Sequence, residues 1–542
     1  MFKGTTQMKD NIGNKSVIAG EDVVFILLAG LLFGYEAHFI IHSSVSRLLA
    51  GMPDDAAYFF KIAENAAIGK GISFDGLHET NGFQPLWLLI LIPIYKMYDG
   101  PPEMMCRVIL SLQLFMNAVS AAIVYHTLSK VYAKSVCLIS GTFFIFLVSL
   151  KAVNGMESSI LILLASIVFA YGLKTNLLFN HRDRATFLFG ILVGLVALSR
   201  LDMVFGAVAI LLVATEAYIA NGERRKCIMR ESILGSFGFL LVTVPYLAFN
   251  VYKFGHIVPV SGQLKSDFTA IKFTSAILPA LHPEHYVAII LALGYLGYHG
   301  FESARNDFAR ERTYLRKCLL VMSVTLLLCL LYSAFVMKWA IFEYHFIFYS
   351  FFACAVIAEF LTIFLSLMPT STSFVHRSRY VFAMLIFIAG SIVLYRFQHR
   401  PLDRVWEVAS YTAATWVRDN VGRGEVLAMK DCGDFGYFSQ RSVINLDGVV
   451  NNFDFQDTLR NRRLNEYFSK YRVRYLAQHA FWGESEVNQG EYENYPLSYW
   501  SHLYHIASDS IIVNRVNEVY RSQPYFDGPY RTVFIIWKLK DD

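Results

Sequence analysis

The sequence predicts a polytopic α-helical membrane protein of about eleven spans that carries a small C-terminal α/β domain outside the bilayer. Three observations lead there. Only 17% of the 542 residues are charged and 55% are hydrophobic, with a mean hydropathy of +0.41, whereas water-soluble domains carry about 25% charged residues. Apolar stretches near the roughly 20-residue length that crosses a bilayer recur throughout residues 1–396. From residue 397 to 542 the chain turns polar and alternates strand and helix patterns.

The eleven spans fall near 22–43, 105–128, 133–152, 158–176, 185–199, 201–220, 231–251, 285–301, 318–337, 346–367 and 380–396. The first, "VVFILLAGLLFGYEAHFII", is long enough to stay as a signal anchor. Arg200 and Asp202 interrupt the fifth and sixth. The stretch "PLWLLILIPIYKMY" (85–98) is too short to cross; with Pro85 in front and "DGPPE" behind, it reads as a helix lying in the interface. Leaving it outside the count has a consequence. With the N-terminus in the cytoplasm, Lys130 and Lys134, Lys174, Arg182 and Arg184, "GERRKCIMR" (222–230), "ARNDFARERTYLRK" (304–317) and "HRSR" (376–379) all face one side, as the positive-inside bias requires. That bias accounts for much of the +5 formal charge, so no nucleic-acid partner is implied. Six of seven cysteines (Cys106, Cys137, Cys227, Cys318, Cys329, Cys354) sit in or beside spans and Cys432 alone does not, which leaves no disulfide framework.

The outer segments are then 44–104, "NGMES" (154–158), "SRLD" (199–202), "KFGHIVPVSGQLKSDF" (253–268) and "KWAIFEYHF" (338–346). In the external domain, "RVWEVASYTAATWVRDNV" (404–421) has a helical period. "EVLAMKD", "RSVINLDG", "YRVRYLA" and "RTVFIIWKL" read as strands, with "LRNRRLNEYFSKY" as one helix.

Several ionisable groups collect at the outer face. Asp54 and Asp55 open the amphipathic segment "DDAAYFFKIAENAAIGKG", Glu157 begins a span, Arg200 and Asp202 flank another, and Lys265 and His345 sit in outer loops. Each has a plainer use: the acids as helix caps, Arg200 and Asp202 as a mutual pair, Lys265 snorkelling, and His345, Trp339 and Tyr344 in the aromatic belt. Together they suit glycosyl transfer from a lipid phosphate. That reaction needs a carboxylate to take the acceptor's proton and cations to meet charge growing on the departing phosphate. Asp54 or Asp55 fits the first task, and Lys265, Arg200 or His345 the second. A transporter or flippase of lipid-linked sugars is the alternative, but transporters place their charges near the midplane. No Gly-rich phosphate loop and no Cys/His metal spacing is present.

The stretches "DDAAYFFKIAENAAIGKGISFDG", "TNGFQPLWLLILIPIY", "NGMESSILILL", "ALSRLDMVFGAVAILL" and "PVSGQLKS" resemble, in this order and spacing, the GT-C superfamily of membrane glycosyltransferases that use polyprenyl-phosphate sugars. Protein mannosyltransferases, aminoarabinose transferases and mycobacterial arabinofuranosyltransferases belong to it. The resemblance implies an inverting transferase of the bacterial inner membrane, with the C-terminal domain periplasmic or extracellular. It moves a hexosyl or pentosyl group, arabinofuranose among the candidates, to a glycan, lipid or protein hydroxyl. It assigns Asp54 as base with Asp55 beside it. It places Glu157 and Gln84 near the acceptor or sugar; beside these, the residues themselves offer Asn81 and Trp339 for the acceptor or sugar, and Lys265, Arg200, His345 and Tyr344 for the donor phosphate. Gln84 stands where some relatives carry a phosphate-binding Lys, which leaves the phosphate to the other cations. No cofactor is required on this reading, and a divalent metal is not expected although an acidic pair can hold one. Within "LAMKDCGDFGYFSQRSVINLDGVVNN" (427–452), Asp434 and Asp447 are candidates to touch an acceptor glycan, or else turn residues beside Gly433 and Gly448.

Overall fold

The computed structural model describes residues 19–175, 183–220, 225–267, 271–275, 277–305, 313–339, 341–367, 372–480, 485–501, 506–527 and 530–539. Arg182, residues 222–224 and 306–312 of the basic turns, and Phe268 lie outside the described residues.

Among the described residues, eleven helices of 17 to 30 residues match the eleven expected spans: α1 (Gly20–His42), α5 (Pro102–Leu128), α6 (Lys134–Ala152), α7 (Ser158–Thr175), α8 (Asp183–Ser199), α9 (Val204–Ala220), α10 (Arg225–Phe254), α13 (Pro283–Arg305), α14 (Thr313–Phe335), α15 (Ile347–Leu367) and α16 (Thr372–Gln398). Nine are long and apolar enough to cross a membrane; α8, at 17 residues, and α13 fall short. The short helices are α2 (Val45–Leu49), α3 (Asp55–Ala67), α4 (Pro85–Met97), α11 (Val260–Lys265) and α12 (Ile277–Ala280). Each of α3 and α4 is 13 residues, about 20 Å at 1.5 Å per residue and so too short to span. Proline opens α4 and α5, where its missing N–H costs nothing. Gly69 and Gly71, at φ +83° and +80°, end the segment begun by α3.

Inside the bundle, two buried glutamates are paired across helices. Ser149 donates to Glu36 (2.7 Å) and Tyr132 to Glu359 (2.8 Å), as hydrocarbon surroundings demand. Helices α8 and α10 meet through small residues: a Cβ on Gly190 would lie 2.0 Å from the Gly235 carbonyl, and one on Gly238 2.3 Å from that of Phe187.

The C-terminal domain begins with α17 (Trp406–Asn420), followed by β1 (Val426–Met429), α18 (Gly433–Ser439), β2 (Ser442–Asn445), α19 (Phe453–Arg460), α20 (Leu464–Tyr471), β3 (Val473–Ala480), α21 (Ser485–Gln489), β4 (Tyr495–Ser501), β5 (Ile506–Val513), β6 (Glu518–Arg521), β7 (Tyr525–Asp527) and β8 (Tyr530–Lys538). The sheet order is β2-β1-β3-β8-β6, with β7 on β8. The β1 pairings with β2 and β3 are parallel and those of β8 antiparallel. The four expected strands are β1, β2, β3 and β8. The single helix expected at 459–471 is instead two, because Arg462 takes φ +54° and turns the chain between α19 and α20. The β4–β5 hairpin forms a separate two-stranded sheet.

One apolar core joins the C-terminal domain to one end of the bundle. It runs from Phe60, Ile62 and Phe74 through Trp87 and Ile109 to Phe435, Tyr437, Leu427 and Phe534, all buried. Backbones touch where glycines allow it. A Cβ on Gly82 would sit 1.8 Å from the Val449 carbonyl, and one on Gly436 2.4 Å from the Phe74 ring. We expect Gly82→Ala to destabilise the protein by about 1–3 kcal/mol, the usual cost of overpacking against a rigid partner. A lowered midpoint of thermal unfolding in detergent would register it.

Candidate active site

Two turns and two straps bring the outer polar residues together. Gln113, in mid-span of α5, accepts from the backbone N–H groups of Asn154 (3.1 Å) and Gly155 (2.8 Å) and donates to the Met156 carbonyl (2.5 Å). Trp87 of α4 donates to the Gly155 carbonyl at 3.0 Å. The turn so held, with Gly155 at φ +79° and no space beside Ala56 and Phe60 for a Cβ, delivers Glu157 to the position just before α7. Gln84 accepts from the Leu201 N–H (3.0 Å) and so ties the start of α4 to the "SRLD" turn. The end of α11 is strapped to the segment before α15 by the bond from Lys338 N–H to the Lys265 carbonyl (2.9 Å) and by the Ser266–Met337 bridge.

The result is a cavity of about 550 Å³. Its polar wall is Asp55, Gln84, Glu157, Arg200, Asp202, Lys265, Tyr344 and His345; its apolar wall includes Leu198, Phe239, Leu240, Leu247 and Met337. The C-terminal domain closes one side with Val449 and Val450. A second, apolar cavity of about 470 Å³ lies between α7, α8, α9, α10, α14 and α15, and Val204, Phe239 and Leu240 line both.

The charges are ordered. Asp55 accepts from the Tyr344 hydroxyl at 2.5 Å and faces the Lys265 ammonium at 3.6 Å. Arg200, 4% exposed, is enclosed: its Nε donates to both Asp202 oxygens (3.0 and 3.1 Å), and its Nη1 donates to the Tyr344 carbonyl (2.6 Å) and lies 3.5 Å from Glu157. The second Glu157 oxygen has no hydrogen-bond partner among the described residues. Burial raises the Glu157 carboxyl and the Arg200 cation opposes it. The His345 ring stacks on Tyr344 with centroids 4.5 Å apart, and its Nδ1 accepts from the Phe342 N–H at 3.1 Å. Among the described residues no three His, Cys, Asp or Glu side chains converge so as to hold a metal ion.

Several residues assigned from the sequence lie elsewhere. Asp54 is 6% exposed and does not line the cavity. It occupies the cap position of α3 without capping it; its carboxylate instead accepts from Gly433 N–H and Asp434 N–H, both at 2.7 Å, and so caps α18. Asn81, 1% exposed, accepts from Val260 N–H (2.9 Å) and donates to Asn250 (3.3 Å), so it braces α11 against α10 outside the cavity. Trp339 packs on the shared core and is not part of the wall. Asp434 and Asp447, 0% and 2% exposed, are closed off from any glycan. Asp447 accepts from Val449 N–H (2.9 Å), Asp431 N–H (3.0 Å) and Asn445 (2.9 Å) around its own turn, and from the Tyr58 hydroxyl of α3 at 3.4 Å. Burial pushes the Asp54 and Asp434 carboxyls up together. Two amides oppose this at Asp54, whereas the Asp434 oxygens have no hydrogen-bond partner among the described residues.

Sequence reasoning passes over Gln113 and Tyr58. A lone Gln in an apolar span is the signal for the first. Tyr58, four residues after Asp54 and hence on the same helix face, accepts from Cys432 N–H (3.2 Å) and Asn445 (3.3 Å).

A spanning bundle with short amphipathic helices at one end and a C-terminal α/β domain is a GT-C-type fold. Solved structures bear this out at the level of fold. ArnT from Cupriavidus metallidurans bound to undecaprenyl phosphate matches with a TM-score of 0.55 at 11% identity, over 93% of this chain and 97% of that one. The same protein in the apo state gives 0.52 at 10%, over 93% and 98%. The archaeal oligosaccharyltransferase AglB from Archaeoglobus fulgidus, in complex with an inhibitory peptide and a dolichol-phosphate, gives 0.50 at 13%, over 91% and 74%. Residues 400–524 match a domain of unknown function, DUF8728. No curated protein matches the chain.

Proposed function

We propose that the protein is an inverting glycosyltransferase that moves a sugar from a polyprenyl-phosphate donor to a hydroxyl of a glycan, lipid or protein at the outer face of a bacterial inner membrane. One observation carries this reading: Asp55 and Lys265 stand 3.6 Å apart in a cavity that shares three apolar wall residues with a second one lying among the spans. On this reading the first isoprene units of the carrier enter the apolar cavity, with its phosphate beside Lys265 and the anomeric carbon near Asp55. The lipid carriers bound in two of the structural neighbours, undecaprenyl phosphate in ArnT and dolichol-phosphate in AglB, support a carrier of this class.

In the step so envisaged, Asp55 takes the acceptor's proton as the hydroxyl oxygen bonds to the anomeric carbon on the face opposite the phosphate. The bond from that carbon to the phosphate oxygen breaks, its electron pair goes to the phosphate, and Lys265 meets the charge. The products are the glycosylated acceptor, with inverted anomeric configuration, and polyprenyl phosphate. Glu157, beside Arg200, takes sugar or acceptor hydroxyls, and Gln84 and Tyr344 fix the walls around them. Because Lys265 does the phosphate's neutralising, no step is given to a metal.

The test is transfer by the purified protein from undecaprenyl- or decaprenyl-phosphate sugars bearing arabinofuranose, mannose, glucose or aminoarabinose. We expect turnover with one of them, an inverted product by NMR, and no change on adding EDTA. Binding of the donors without turnover, coupled to their movement between leaflets, would favour the transporter reading instead.

A further inference from the structure

The sequence pairs two adjacent acids, and the structure separates their tasks. Asp55 and Phe59 line the cavity, while Asp54, one residue earlier and about 100° around the helix, does not and reaches the C-terminal domain instead; Tyr58, one turn on, touches both. Asp54 takes two backbone N–H groups there at 2.7 Å, and Tyr58 takes Cys432 N–H one turn on. The approach is close enough that a Cβ on Gly433 would lie 2.1 Å from the Asp54 carbonyl. Buried and with both oxygens engaged, Asp54 is poorly placed to receive a proton from an acceptor in the cavity.

We propose that Asp54 is a positioning residue, a latch through which α18 of the C-terminal domain fixes the first turn of α3 and thereby the aim of Asp55. This rests on the reading of Asp55 as the base. The device follows from geometry. A helix start that is anchored only by its own capping bonds frays, and misplacing a reacting group by about 1 Å costs on the order of a hundredfold in rate. Two amide bonds of 2.7 Å to one carboxyl group are short and directional, and they restrain the backbone at the residue immediately before Asp55. The C-terminal domain is thus part of the catalytic apparatus without supplying a group that touches substrate.

The test uses the full-length protein in nanodiscs, with Asp54→Asn and Gly433→Ala as variants and undecaprenyl phosphate as the binding probe. Asparagine retains one acceptor oxygen but presents an NH₂ to the second amide, and alanine at 433 pushes the amides away while leaving Asp54 intact. Hydrogen exchange is expected to speed up by about tenfold or more in peptides covering both 55–67 and 433–439 in each variant. With the donor that supports wild-type turnover, kcat falls by about 10- to 100-fold while KM and undecaprenyl phosphate affinity stay within about threefold of wild type, because Lys265 is untouched. The double variant falls no further than the worse single one, since both break the same link. Three outcomes overturn the proposal: Gly433→Ala leaving exchange in 55–67 and kcat at wild type; Asp54→Asn abolishing turnover with exchange unchanged, which makes Asp54 itself the proton acceptor; or loss of undecaprenyl phosphate binding in both variants, which makes the latch a determinant of the fold alone. Retained turnover in Asp55→Asn refutes the base assignment separately and leaves the exchange coupling standing.

Discussion

Asp55→Asn is expected to lower turnover by about 10²- to 10⁴-fold, the usual contribution of a general base, while leaving undecaprenyl phosphate bound at least as tightly as in the wild type. The two halves of that expectation have one cause. Asparagine has the shape of aspartate and still accepts the Tyr344 hydroxyl that reaches Asp55 at 2.5 Å, so the wall keeps its form. What is lost is a negative charge 3.6 Å from the Lys265 ammonium. Without it no group at that place accepts the acceptor's proton, and Lys265 is released to a phosphate that no longer competes with a carboxylate. Single-turnover transfer and equilibrium binding of undecaprenyl phosphate, measured on the same preparation, separate the effects. A variant with lowered turnover and lowered phosphate affinity would point to general collapse of the cavity, and one with undiminished turnover would end the assignment.

The membrane part of this architecture was legible because hydrocarbon imposes a length and a polarity on every span. The eleven apolar stretches, the short helix after Pro85 and the gathering of Glu157, Arg200, Lys265 and His345 at one end all follow from that rule and from the side on which basic turns collect. The parts that were not legible depend on contacts remote in sequence. Nothing in "PDDAAY" says that the first acid caps a helix nearly 380 residues away. The rule that an Asp at that position caps a helix is sound, but it does not name which helix. Asn81 and Trp339 escape the sequence for a related reason: their neighbours in the chain line the cavity, yet the side chains turn to Asn250 and to the core. In the C-terminal domain the strands with continuous apolar runs are visible, while β4, β5 and the break at Arg462 are not, since a hairpin exposed on one face and a left-handed residue leave only a weak pattern. Pairing and a place in the site are not exclusive for Arg200 and Asp202 either. They do pair, inside the cavity wall.

Among the described residues two permanent cations line the cavity, Arg200 and Lys265, and the structure gives them different capacities. The contacts of the Arg200 guanidinium point at the protein: Asp202, the Tyr344 carbonyl and Glu157. A guanidinium so enclosed cannot turn to a ligand without leaving two carboxylates unpaired in a buried site, which is costly. Lys265 ends α11, with Asp55 as its ion-pair partner at a distance longer than a tight bond. A flexible ammonium in that position follows charge as it moves from the glycosidic oxygen to the phosphate. Lys265→Met, which keeps the aliphatic stem, is therefore expected to reduce kcat/KM by about 10²- to 10³-fold, the scale for removing one preorganised donor to developing negative charge. The affinity for undecaprenyl phosphate should drop with it, and the salt dependence of that binding should flatten because one cation fewer is screened. Lys265→Arg is expected to recover part of the binding but less of the rate, since a planar fork cannot occupy the position of a point charge. A Lys265→Met protein with unchanged phosphate affinity and unchanged kcat/KM would transfer the phosphate's neutralisation to Arg200 or His345, and with it the whole orientation of the donor in the cavity.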